Sequence, residues 1–93
     1  MALTKETVVD KIEVMEMGEV QVRSATRVKE DGAVLSTSFH RHFLEPSTKD
    51  SGSWADTDIS GEDARVQAIA TATWTDAVKT AWQEAWDASN IRN

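Results

Sequence analysis

The sequence predicts an α+β domain: an antiparallel three-stranded meander, order 1-2-3, covered on one face by a C-terminal helical hairpin. Residues 7–44 alternate with period two and are rich in Val, Thr and Phe. Residues from 61 onward are rich in Ala and Trp at helical spacing. Strands followed by helices, without interleaving, give an antiparallel sheet under a helical layer. With 93 residues the chain is expected to form one domain spanning 1–93, since two cores would each fall below the ~40–50 residues a fold needs.

Strands are expected over 7–15, 19–29 and 33–44. Asp31-Gly32 lies between two alternating runs, a hairpin signal because a type I′ turn wants φ > 0 at both positions. A two-residue loop there pairs Glu30 with Ala33, and a regular ladder then sets Val28 opposite Leu35, Ser24 opposite Phe39 and Val20 opposite Phe43. At the first connection, a two-residue loop would pair Val14 with Gln21. A three-residue loop, Glu16-Met17-Gly18 with Gly18 left-handed, pairs Val14 with Val20 and Ile12 with Val22. The latter keeps apolar beside apolar, and a one-residue slip would turn the set outward. The expected buried face is Val8, Ile12, Val14, Val20, Val22, Val28, Leu35, Phe39 and Phe43.

Residues 45–60 read as a long loop holding the only Pro, a run of Ser, Thr, Lys, Asp and Gly, and a lone Trp54. Loops of this length are either functional or mobile, and Trp54 is a candidate anchor to the core. Two helices fill 61–90. Ser60 is the expected N-cap of the first, with Glu62 and Asp63 in its first turn. Val66, Ile69, Ala70 and Thr73 form its apolar stripe. Thr75 caps the second, whose stripe is Val78, Ala81, Trp82, Ala85 and Ile91, flanked by Trp86. Trp74 sits at the joint.

Composition limits the function. Sixteen acidic against 10 basic residues give a net charge of −6, which disfavours nucleic-acid binding, where phosphate neutralisation supplies most of the affinity. No stretch approaches the ~18 apolar residues of a membrane span, and the start lacks a signal-peptide profile. The absence of cysteine excludes a disulfide framework, a zinc-thiolate site and a thiol nucleophile. The glycines stand singly in turns, no serine lies in a nucleophile elbow, and the spacing places no carboxylates in a shared cleft. Asp56-Thr57-Asp58 lacks the Gly and the bidentate Glu of a calcium loop. The expectation is a non-enzyme without cofactor.

Phe39-His40-Arg41-His42-Phe43 is the most suggestive segment. Imidazoles two apart on a strand share a face and could hold a metal ion. The spacing brings no third ligand, so a solvated or interface-facing pair is the other reading of His40 and His42. In the expected register Lys11, Arg23 and His40 lie side by side on the outer face, with Arg27 and His42 near. Like charges facing one another are destabilising, which leaves either an acidic partner docking there or neutralisation by Glu13 and solvent. Of the four tryptophans, Trp74 and Trp82 suit the core, while Trp54 and Trp86 suit contact with another chain.

Three stretches carry a resemblance: Val9-Asp10-Lys11-Ile12-Glu13-Val14, the strand Phe39-His40-Arg41-His42, and the run from Gly61 to Ala70 leading to Trp74-Thr75. Together they resemble small tailed-bacteriophage proteins encoded among tail and virion genes, over about residues 7–87. Those relatives carry Pro after the cap Thr, where this chain has Asp76, and a shorter stretch before the first helix. The resemblance implies a virion or tail context and transfers no site residue. The resulting expectation is a structural or adaptor component of a phage tail or baseplate, assembled in the host cytoplasm. It would contact other virion proteins or copies of itself through Lys11, Arg23, Arg27, His40, His42, Trp54 and Trp86. The alternatives are a metal-binding module through His40 and His42 and a free regulator that binds a host protein.

Overall fold

The computed structural model describes residues 2–91, with side chains through 88. It has the expected α+β architecture. Strands β1 (Leu3–Val14), β2 (Val20–Glu30) and β3 (Ala33–Leu44) form an antiparallel sheet of order β1-β2-β3. Helices α1 (Ala64–Thr73) and α2 (Asp76–Ile91) follow. Between the sheet and the helices, where an irregular loop is expected, lies a two-stranded hairpin of β4 (Ser47–Asp50) and β5 (Ser53–Asp56). Its turn residues Ser51 and Gly52 have φ of 52° and 84°, the two positive values of a type I′ turn.

The first connection is the expected three-residue loop. Val14 pairs with Val20 and Ile12 with Val22, and the Met15 amide donates to the Glu19 carbonyl across the bend. Gly18, at φ 94°, is pressed under the helices: a Cβ built there would lie 2.6 Å from Val78 Cγ1. Asp31 and Gly32 form the second turn with φ of 50° and 87°, and Glu30 faces Ala33 as expected.

Beyond that turn the ladder departs from the expected register. A bulge at Leu35 shifts pairing by one, so Val28 faces Ser36, Ala25 faces Phe39, Ser24 faces His40, Val22 faces His42 and Val20 faces Leu44. One extra residue reverses the parity of the strand after it. Phe39 and Phe43 therefore point away from the helices and His42 points toward them, the opposite of the expected arrangement. A second bulge, at Asp10 in β1, puts Val9 rather than Val8 on the helix side. Of the nine residues expected to be buried, Val20 and Val22 are fully buried and Ile12 packs beside them. Val8, Val14, Leu35, Phe39 and Phe43 are exposed, and Val28 is half-buried far from the helices.

The core is small and lies at one end of the sheet. Val20 and Val22 meet Val66, Ala70 and Trp74, with Val9, Ile12, Leu44, Ile59 and Val78 around them. Burying each aliphatic side chain contributes about 1.5–3 kcal/mol. The Trp74 indole N–H donates to the Gly18 carbonyl at 2.7 Å, tying the helix joint to the first hairpin. Asp63, not Ser60, caps α1, its carboxylate accepting from the Arg65 amide at 2.9 Å. Ser60 instead donates its amide to Asp58. Thr75 caps α2 as expected, accepting from the Val78 amide. On the α1 stripe Val66 and Ala70 are buried, while on α2 Ala81 and Ala85 are exposed. The side chain of Ile91 lies outside the described residues.

The helix layer covers only part of the sheet. The remainder projects, giving extents of 59 × 28 × 24 Å and a radius of gyration of 17.4 Å. A compact chain of this length would have about 12 Å.

Candidate functional site

The outer sheet face is the broadest uncovered surface formed by the strands. Rows of paired residues run across it: Val8, Ala25 and Phe39; then Lys11, Arg23 and Arg41; then Glu13, Gln21 and Phe43. Phe39 is 56% exposed and Phe43 61%. Ala25, between Val8 and Phe39, is fully buried. The Arg23 guanidinium lies 4.4 Å from the centroid of the Phe39 ring, a cation–π contact that links the two rows.

The basic row exists, but Arg41 stands where His40 was expected. Four cations in and beside the row, Lys11, Arg23, Arg27 and Lys29, are paired with three carboxylates. Asp10, at the β1 bulge, takes Arg23 in a bidentate pair, 3.1 Å from Nε and 2.7 Å from Nη2. Lys11 pairs with Glu13 at 3.6 Å, and Glu6 takes both Arg27 at 3.8 Å and Lys29 at 2.6 Å. The hydrogen bond from Arg23 holds the Asp10 carboxyl below its usual range, and the same bond raises the Arg23 pKa. The hydrogen bond from Lys29 does the same for Glu6. In the row, Arg41 alone has no ion-pair partner among the described residues. The surface is thus two exposed phenyl rings in a largely neutralised frame, not a bare basic patch.

His40 and His42 sit on the opposite, helix-side face, with ring centroids 6.3 Å apart. His42 Nε2 is 2.8 Å from Glu62 Oε1, which ties the loop before α1 to β3. Among the described residues no group of three or more His, Cys, Asp or Glu side chains converges on one point. The histidines therefore do not share a surface with Lys11, Arg23 and Arg27.

Trp54 and Trp86 form a second locus. Their rings meet edge to face at 5.6 Å, locking the β4–β5 hairpin onto α2. Lys49 lies over both rings, at 5.4 and 4.8 Å, and pairs with Asp87 at 3.1 Å. Lys79 reaches Asp56 at 2.9 Å, and Gln83 donates to the buried Ser47 hydroxyl at 3.1 Å. Beside this cluster Met17, Trp82, Ala85 and Trp86 line a shallow apolar groove of about 200 Å³. Trp54 thus anchors its segment to α2 and not to the central core.

The seven residues expected to bind a partner are therefore divided among three places: Lys11, Arg23 and Arg27 outside, His40 and His42 inside, Trp54 and Trp86 at the hairpin. Sequence reasoning missed Phe39, Phe43 and Arg41 as surface residues. Their signal was present only in the bulge, which alternation does not reveal. Compared with protein families, curated proteins and solved structures, the chain finds no match.

Proposed function

We propose that this chain is a non-catalytic structural or adaptor component of a tailed-phage particle, in the tail or baseplate region, and that it works by protein–protein contact. The single observation behind the contact role is the pair of phenyl rings, Phe39 and Phe43, held more than half exposed on a sheet face that no helix covers. Clustered apolar surface rimmed by polar groups marks interaction sites, and aromatic anchors supply much of the binding energy at such sites. The charged residues around them contribute orientation more than affinity. The phage context rests on the resemblance of the β1, β3 and α1 segments to small tail-region proteins.

The test is quantitative mass spectrometry of purified particles from the source phage. The proposal requires this chain at a fixed copy number per particle, and requires that Phe39→Ser with Phe43→Ser lower its incorporation without unfolding it. A chain present in infected cells but missing from washed particles would point instead to a free regulator.

A further inference from the structure

The two edges of the sheet differ. On β1, the bulge at Asp10 interrupts the strand, the Arg65 guanidinium donates to the Val9 carbonyl, and Lys5, Glu6, Asp10, Lys11 and Glu13 crowd the strand with charge. Such features blunt an edge against pairing with another chain. Strand β3 has none of them after Leu35. From Ser36 to Leu44 its ladder to β2 runs without interruption, its only formally charged residue is Arg41, and it contains no proline or lysine. Among the described residues, no hydrogen bond from outside the sheet reaches the backbone of β3. Nine residues of open edge extend about 30 Å.

We propose that β3 pairs antiparallel with β3 of a second copy about a two-fold axis at His40, joining two meanders into one six-stranded sheet. This rests on the reading of the chain as a contact protein and names its first partner. An axis at His40 uses the whole uninterrupted run, because 40 is the midpoint of 36–44. It sets Phe39 beside Arg41 of the second copy on the outer face, so that the phenyl ring held by Arg23 on one side gains a second guanidinium on the other. Arg41 thereby acquires a neighbour and no two arginines stand opposite one another.

Charge distribution favours the same edge. Residues after 44 carry nine acidic and four basic side chains, against seven and six before. A two-fold through β3 places the two acidic helical ends at opposite ends of the shared sheet, while joining the nearly neutral strands. Pairing β1 to β3 head to tail would instead meet the Asp10 bulge and the Arg65 side chain. An interface of one strand pair with its flanking rings falls at the small end of specific contacts, so the dimer is expected to be concentration-dependent.

The absence of native cysteine makes a direct test clean. In the proposed register the two His40 Cα atoms fall within the ~4.4–6.8 Å that a disulfide spans. Under mild oxidation H40C should form a covalent dimer, while T4C on the β1 edge should remain largely monomeric. Sedimentation of the wild-type chain from about 10 to about 500 µM should show a monomer–dimer equilibrium, as expected for a small interface. Ser38→Lys should shift its midpoint at least about tenfold upward. If S38K unfolds by circular dichroism, the cross-link decides alone. A wild-type monomer across the range, equal cross-linking at positions 4 and 40, or a dimer indifferent to a folded S38K would overturn the pairing. A monomer that still enters particles would sink the dimer only; a dimer missing from particles would sink the particle role only.

Discussion

Two residues set the local tolerances of this fold. Gly18 combines a left-handed backbone with a site where a Cβ would meet Val78 Cγ1 at 2.6 Å. Gly18→Ala should therefore destabilise by about 2–4 kcal/mol, from backbone strain and overpacking together. A urea titration measures the loss, and Val78→Ala in the same chain should recover part of it, as coupled neighbours do. Asp10 contributes to the acid response, alongside Glu6 and Asp58, whose carboxyls are also held below their usual range. Its folded pKa is lowered by the hydrogen bond from Arg23. The stability it contributes is therefore present above the unfolded value of about 3.9, and is lost as pH falls through the lower folded value. Asp10→Asn should be less stable than the wild type at neutral pH and decline less steeply below about pH 4, in denaturation curves taken across that range. An unchanged acid limb would remove Asp10 from the account.

At the scale of elements, the bulge at Leu35 decides what each face of the sheet presents. Deleting Leu35 should leave the pairs after it intact, because a regular ladder from the Asp31-Gly32 turn then brings Ser36 opposite Val28 directly. The deletion variant is expected to keep the nuclear Overhauser contact between Phe39 and Ala25, with stability within about 1 kcal/mol of the parent, the scale of a local irregularity. Much of this layer is legible from sequence. The Val14–Val20 and Ile12–Val22 pairs follow from apolar matching, Asp31-Gly32 announces its turn, and Thr75 announces its helix. The β3 parity does not, because the alternation of Phe39 and Phe43 with His40 and His42 fits either face until a bulge chooses. The core is too small to enforce the apolar choice: Val66, Ala70 and Trp74 cover only one end of the sheet. The β4–β5 hairpin escaped notice because its flanks are polar, leaving Ser51-Gly52 as the one signal. Asp63 and Ser60 are both good caps three residues apart, and composition alone does not separate them. Trp54 and Trp86 show one property in the sequence, surplus aromatic surface, and the fold sets the two rings against each other while leaving Trp86 40% exposed. Trp86→Ala should loosen the hairpin, costing about 1 kcal/mol beyond the lost area, with faster amide exchange across Ser47–Asp56 as the readout.

The whole molecule is an elongated sheet with a helical cap at one end, and its uncovered strands are the surfaces proposed for contact. Small-angle scattering of the dilute monomer should give a radius of gyration near 17.4 Å and not the roughly 12 Å of a compact chain of this length. Every contact argued above, by face or by edge, depends on β3 showing its phenyl rings to solvent. Aromatic-to-methyl Overhauser spectroscopy on the isotope-labelled protein tests that orientation most directly. Phe39 ring protons should contact the Ala25 methyl and Val8, and show nothing to Val66 or Ala70. Contacts from Phe39 or Phe43 to Val66, Ala70 or Trp74 would contradict it.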